Sequence, residues 1–142
     1  MKNDSIVLKI PANADFIPTV RLTLSGIASK LDFSIDEIED LKIAVSEACN
    51  NVIQHAYNNI EKGEIVLQFD LRDEGLEVTV SDQGCGFDVQ NISSLKPKQE
   101  NHEKFGFGLG LTFIKTLMDD TSFTSELGKG SKIKMKKISS RS

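Results

Sequence analysis

The chain has 142 residues, with 39% hydrophobic and 27% charged residues and no tryptophan, a composition that excludes disordered, fibrous and membrane-embedded classes. The length predicts one domain whose core buries roughly two-thirds of the unfolded surface. The net charge of −4 hides a division: residues 1–128 hold all 21 acids against 11 Lys and Arg, and residues 129–142 hold six bases and no acid. An acidic body excludes general nucleic-acid binding, and so short a basic tail does not reverse that.

The start reads as no secretory signal, because the first apolar run is broken by Lys9. No stretch approaches the ~18 apolar residues that span a bilayer. Cys49 and Cys85 lack CxxC spacing and histidines placed for zinc, so a reducing, cytoplasmic setting is expected, with both thiols as packing groups.

Residues 5–10 predict a strand, broken by Pro11 and Asn13. Val20, Leu24, Ile27, Ala28 and Leu31 fall at helical spacing within 15–31, where Pro18 is tolerable only in the first turn. Ser34 and Glu37 fit a capping box. Asp36, Glu37, Glu39 and Asp40 then crowd the first turns of a helix, where its dipole favours negative charge. Ile38, Leu41, Val45, Ala48, Val52 and Ala56 form its apolar stripe, ended by Asn58, Asn59 and Gly63.

Strands are predicted over 64–71 and 76–82, joined by a hairpin at Arg72–Gly75. Residues 88–104 are polar and aperiodic, a long loop or lid. A short helix fits 109–118, and a last strand pair fits 121–127 and 131–138, turned by Gly128-Lys129-Gly130. Lys132, Lys134 and Lys136 give the final strand one solvated face, and on a sheet edge they would discourage aggregation. The order indicates an α+β two-layer sandwich, its helices on one face of a mostly antiparallel mixed sheet.

Three constellations could carry chemistry. Glu47 and Asn51 lie four apart on the long helix and share a face. A carboxylate and a carboxamide so placed hold a hard cation or leave the carboxylate as a base, though two solvated polar groups would look the same. His55 continues that line and reads as structural. Asp82-Gln83-Gly84-Cys85-Gly86 ends a strand; its glycines permit close approach to a planar ligand and its Asp accepts hydrogen bonds from an amine, though a plain turn explains it equally. Phe105-Gly106-Phe107-Gly108-Leu109-Gly110 closes the long loop and opens a helix. Free N–H groups there suit phosphate, and a hinge is the plain alternative.

Taken in this order, the three resemble the N, G1 and G2 boxes of the GHKL (Bergerat-fold, histidine-kinase-like) ATPases. SEACNNVIQHAY (46–57), VSDQGCGFD (80–88), GFGLGLTFIKTLMDD (106–120) and GKGSKIKM (128–135) further resemble the bacterial anti-sigma factor serine kinases, the RsbW/SpoIIAB-like group. The resemblance covers nearly the whole chain and implies a Bergerat ATP-binding fold over 1–142 with a lid at about 88–108. It implies ATP and Mg2+ as cofactors, with Glu47 as general base, Asn51 as Mg2+ ligand and Asp82 on the adenine amine. Gly84 and Gly86 would pack near the base, Gly106, Gly108 and Gly110 would contact phosphate through backbone, and Ser131 would support the adenine site. Some members place an arginine just before the G2 glycines; here Lys104 and Phe105 stand instead, and Lys104 is the candidate.

The resemblance also implies a serine/threonine protein kinase that phosphorylates a STAS-type anti-anti-sigma protein and sequesters a sigma factor by partner switching. It further implies a homodimer, with no direct nucleic-acid or membrane contact. The alternative is an ATP-binding regulatory module with little or no kinase activity. The length leaves almost no room beyond the ATPase domain, so the acceptor is expected on another protein.

Overall fold

The computed structural model describes residues 3–56, 63–82, 102–126 and 130–140, with backbone alone at 55–56, 102–109 and 126. The strands are β1 (Ser5–Pro11), β2 (Glu64–Leu71), β3 (Gly75–Asp82), β4 (Asp120–Glu126) and β5 (Gly130–Ile138). The helices are α1 (Ile17–Ala28), α2 (Ile35–Asn51) and α3 (His102–Leu117). One sheet runs in the order β1-β2-β3-β5-β4. All four pairings are antiparallel, the antiparallel end of the sequence expectation.

Strand alternation sets the layers. Ile65, Leu67, Phe69 and Leu71 of β2, Leu76, Val78 and Val80 of β3, and Ile133 and Met135 of β5 are buried. They meet Val20, Leu24 and Ile27 of α1, Leu41, Val45 and Ala48 of α2, and Ile114 of α3 in one core. The opposite sheet face is polar. There Lys132 lies between Ser81 and Thr124, Lys134 between Thr79 and Ser122, and Lys136 between Glu77 and Asp120.

The lysine strand is not an edge. β5 sits between β3 and β4, so its lysines give a solvated face, as expected, but guard no edge. The β4–β5 hairpin folds back to insert its second strand beside β3.

Pro11 closes β1 rather than preceding its end, pairing with Glu64. An edge strand tolerates the missing N–H there. Pro18 falls in the first turn of α1. Both halves of the α2 capping box are formed: Glu37 N–H donates to Ser34 Oγ at 3.1 Å and Ser34 N–H to Glu37 Oε1 at 2.8 Å.

Two helices depart from expectation. The α-helical pattern of α2 stops at Asn51 and continues as a π-helical turn over Val52–Ala56. Two asparagines followed by β-branched Val52 and Ile53 weaken the regular ladder there. Helix α3 begins at His102 instead of 109. Its three glycines each cost a helix about 1 kcal/mol relative to alanine, which argued for a loop. Packing of α3 on α2, with Ile114 and Met118 in the core, offsets that cost, because tertiary burial rather than propensity supplies most helix stability.

The C-terminal end of β5 anchors the start of α2. Ser140 N–H donates to Glu37 Oε2 at 2.9 Å, and the Ser139 hydroxyl donates to the Asp32 carbonyl. Lys137 Nζ donates to Leu117 O, the last residue of α3, at 2.6 Å and reaches Asp40 Oδ2 of α2 at 3.5 Å. One ammonium thus links two helices to the sheet.

Candidate functional site

The anchor at Lys137 and Asp40 fixes which way α2 lies across the sheet. From Asp40 to Asn51 the helix advances about 16 Å, while β5 runs back from Lys137 to Ser131 over about 20 Å. The C-terminal end of α2 therefore reaches the end of the sheet where β5 starts and β3 finishes. Its π-helical turn packs against both strands.

At that end, alternation in β3 places Asp82 on the same face as Val78 and Val80, under the helices. The register Ser81↔Lys132 sets Ser131 beside it. Asp82 is 4% exposed and Ser131 6%, and the Ser131 hydroxyl donates to Asp82 Oδ2. Gly130, with φ 99°, precedes Ser131. That left-handed conformation favours glycine and aims the chain into the strand. The two residues that the family resemblance assigns to one subsite, 49 positions apart, are thus in contact.

Asn51 is 2% exposed, and its Nδ2 is buried without a hydrogen-bond partner. A buried amide left unpaired costs about 1–3 kcal/mol, so its retention points to a polar ligand. It stands where the α-helix passes into the π-helical turn, an irregularity frequent at functional sites. Glu47, half-buried, lies one turn earlier on the same helix. Oxygen donors from a carboxamide and a carboxylate suit a hard divalent cation, so the residues present fit Mg2+.

Against Asn51 lies Gly110 of α3. A Cβ added there would stand 2.9 Å from Asn51 Nδ2 and 3.1 Å from Oδ1. The structure therefore joins Asn51 to Gly110 and Asp82 to Ser131. Gly84 and Gly86 lie outside the described residues, as do residues 88–101 of the expected lid. The side chains of Lys104 and His55 also lie outside them.

Gly106, Gly108 and Gly110 need correction in one respect. The expectation of free N–H groups in a loop does not hold for the described backbone. All three sit inside α3, where each amide has a carbonyl four residues earlier. A helix leaves only its first four N–H groups unpaired, which shifts those donors to His102–Phe105.

Sequence reading did not single out Ser46, whose Oγ is also buried without a partner; a serine inside a helix carried no signal. Cys49 is buried and free. Burial pushes its thiol up to about 12, in keeping with a packing role. Cys85 lies outside the described residues. Among the described residues no helix is long and apolar enough to cross a membrane.

Residues 10–137 match the family model of the histidine kinase-like ATPase domain. A serine-protein kinase RsbW of Bacillus velezensis is 46% identical over 129 residues, covering 88% of this chain and 81% of that protein. The Bacillus subtilis serine-protein kinase RsbW is 42% identical over 134 residues, covering 90% and 84%. Among solved structures, the RsbU and RsbW domains of a Mycobacterium tuberculosis protein align with a TM-score of 0.69 at 19% identity, over 95% of this chain and 32% of that one. A blue-light activated histidine kinase of Erythrobacter litoralis aligns at 0.58 and 18% identity, over 93% and 43%. Fold, family model and close relatives agree: the chain belongs to the histidine kinase-like ATPase family, as an RsbW-like member.

Proposed function

We propose that this chain is an ATP-dependent protein serine kinase and anti-sigma factor, which phosphorylates a STAS-type antagonist and otherwise sequesters a sigma factor. The observation that carries the reading is the meeting of Asp82 with Ser131 at the sheet end reached by Glu47 and Asn51. The 46% identity to a serine-protein kinase supports the reaction class.

In this reading Asp82 accepts a hydrogen bond from the adenine exocyclic amine, and Ser131 holds its carboxylate in place. Asn51 would hold Mg2+, which when bound neutralises phosphate charge. Glu47 takes the proton of the acceptor serine. That serine oxygen bonds to the γ-phosphorus as the bond to the β–γ bridging oxygen breaks, and ADP leaves. Such transfer asks mainly for positioning and charge stabilisation. Gly84, Gly86, Gly106, Gly108 and Lys104 line the nucleotide in the same reading, within one ATPase domain whose lid covers about 88–108. A homodimer working in the cytoplasm completes the proposal.

The test is transfer of labelled γ-phosphate from ATP to the cognate STAS protein, wild type against Glu47→Ala. Labelling by wild type and its loss in the variant is the expected result. Equal labelling removes Glu47 as base. Nucleotide binding without any labelling by wild type would leave a non-catalytic regulatory module.

A further inference from the structure

Gly110 was assigned to phosphate by sequence, yet the structure gives it a different neighbour. It lies mid-helix, its amide within the α3 ladder, and its α-carbon faces a side chain of α2. The three nearest atoms to an added Cβ are Asn51 Nδ2 at 2.9 Å, Oδ1 at 3.1 Å and Cγ at 3.4 Å. All three belong to one carboxamide, which lies across the glycine. Real Cβ contacts essentially never fall below 3.0 Å, so the carboxamide would have to move. With Asn51 2% exposed, little free space surrounds it. Its Nδ2 has no hydrogen bond to hold it; packing against Gly110 supplies the restraint.

We propose that Gly110 is a positioning residue for Asn51: the absent side chain is a seat that fixes the carboxamide for its ligand. Resting on the nucleotide-binding reading above, this deepens it: the placement of α3 on α2 sets where Asn51 presents its oxygen. Functional groups demand placement within about 0.5 Å, and a lone unpaired amide does not achieve that unaided. The glycine-rich helix and the cation-ligand helix thereby form one mechanical unit.

A double-mutant cycle tests it. Wild type, Gly110→Ala, Asn51→Ala and the double variant are compared in two measurements. One is the increase in ATP affinity on adding Mg2+, by calorimetry. The other is Tm without nucleotide. Gly110→Ala is expected to cut the Mg2+-dependent increase by about 10-fold or more, close to the value for Asn51→Ala. Adding it to Asn51→Ala should change affinity no further and raise Tm, because alanine is the better helix former and the clash is gone.

A folded Gly110→Ala that keeps the full Mg2+ increment overturns the proposal, as do additive effects in the double variant. If Gly110→Ala fails to fold, a folded double variant supports the seat and an unfolded one overturns it. Should wild type bind no ATP, the nucleotide reading fails by itself, and Tm alone decides the seat. Opposite signs of the alanine effect in the two backgrounds support it, and equal shifts overturn it.

Discussion

Asp82→Asn separates an adenine-binding carboxylate from a structural one. The carboxylate is buried and accepts a hydrogen bond from the Ser131 hydroxyl; in the proposed reading it also accepts from the adenine amine. A hydrogen bond to a charged group contributes about 1.5–3 kcal/mol, so the neutral carboxamide should weaken ATP by about 30-fold at a loss of 2 kcal/mol. At a concentration 100 times the wild-type Kd, ATP stabilises the protein by about 2.7 kcal/mol. After that loss the same concentration gives about 0.9 kcal/mol. Unfolding entropy for a chain of this length makes 1 kcal/mol worth about 3.4 °C. The Tm shift on adding ATP and Mg2+ should therefore fall from about 9 °C to about 3 °C. Differential scanning fluorimetry of both proteins, with and without nucleotide, measures this directly. An undiminished shift in a variant of normal unliganded Tm would refute the adenine assignment.

Other consequences concern the scaffold. Gly75 of β3 packs so tightly against β5 that a Cβ would collide with the Lys137 carbonyl oxygen and stand 3.0 Å from Ile138 Cα. Backbone atoms cannot swing aside, so Gly75→Ala should cost about 3 kcal/mol, read as a lower urea midpoint with unchanged slope. Burial alone would raise the Glu37 pKa, but the Ser34 and Ser140 backbone N–H groups and the two serine side chains outweigh it and leave the carboxyl below its ordinary value. The stability it adds is present above the unfolded pKa and lost as pH falls through the folded one. Glu37→Gln should thus cost about 0.5–1 kcal/mol at neutral pH, with the difference closing as denaturation is followed to pH 3. Cys49, its thiol pushed up to about 12, should resist alkylation at pH 8 in a Cys85→Ser background and react fully in urea; rapid labelling of the folded protein would contradict its burial.

Much of the fold was legible locally. The capping box at Ser34 and Glu37, the first-turn Pro18 and the alternation of β2 and β3 are set by neighbours within a few residues, and those signals are written in sequence. Where contacts reach further, sequence misjudged the outcome. Helix α3 was expected only from residue 109, because the glycines before it disfavour helix, and burial of Ile114 and Met118 against distant elements offsets that cost. Helix α2 looked regular to Ala56, although its ladder changes to π at Val52.

For the site, sequence supplied Glu47, Asn51, Asp82, Gly110 and Ser131 as an ordered set of residue types, along with their family. Spacing on one helix put Glu47 and Asn51 on a common face without further help. It could not place Ser131 against Asp82, because that contact depends on β5 entering between β3 and β4 in a single register. Nor could it show that Gly110 lies under the Asn51 carboxamide. That contact arises where two helices cross on the sheet, and a crossing is fixed by packing between them, which neither segment encodes alone.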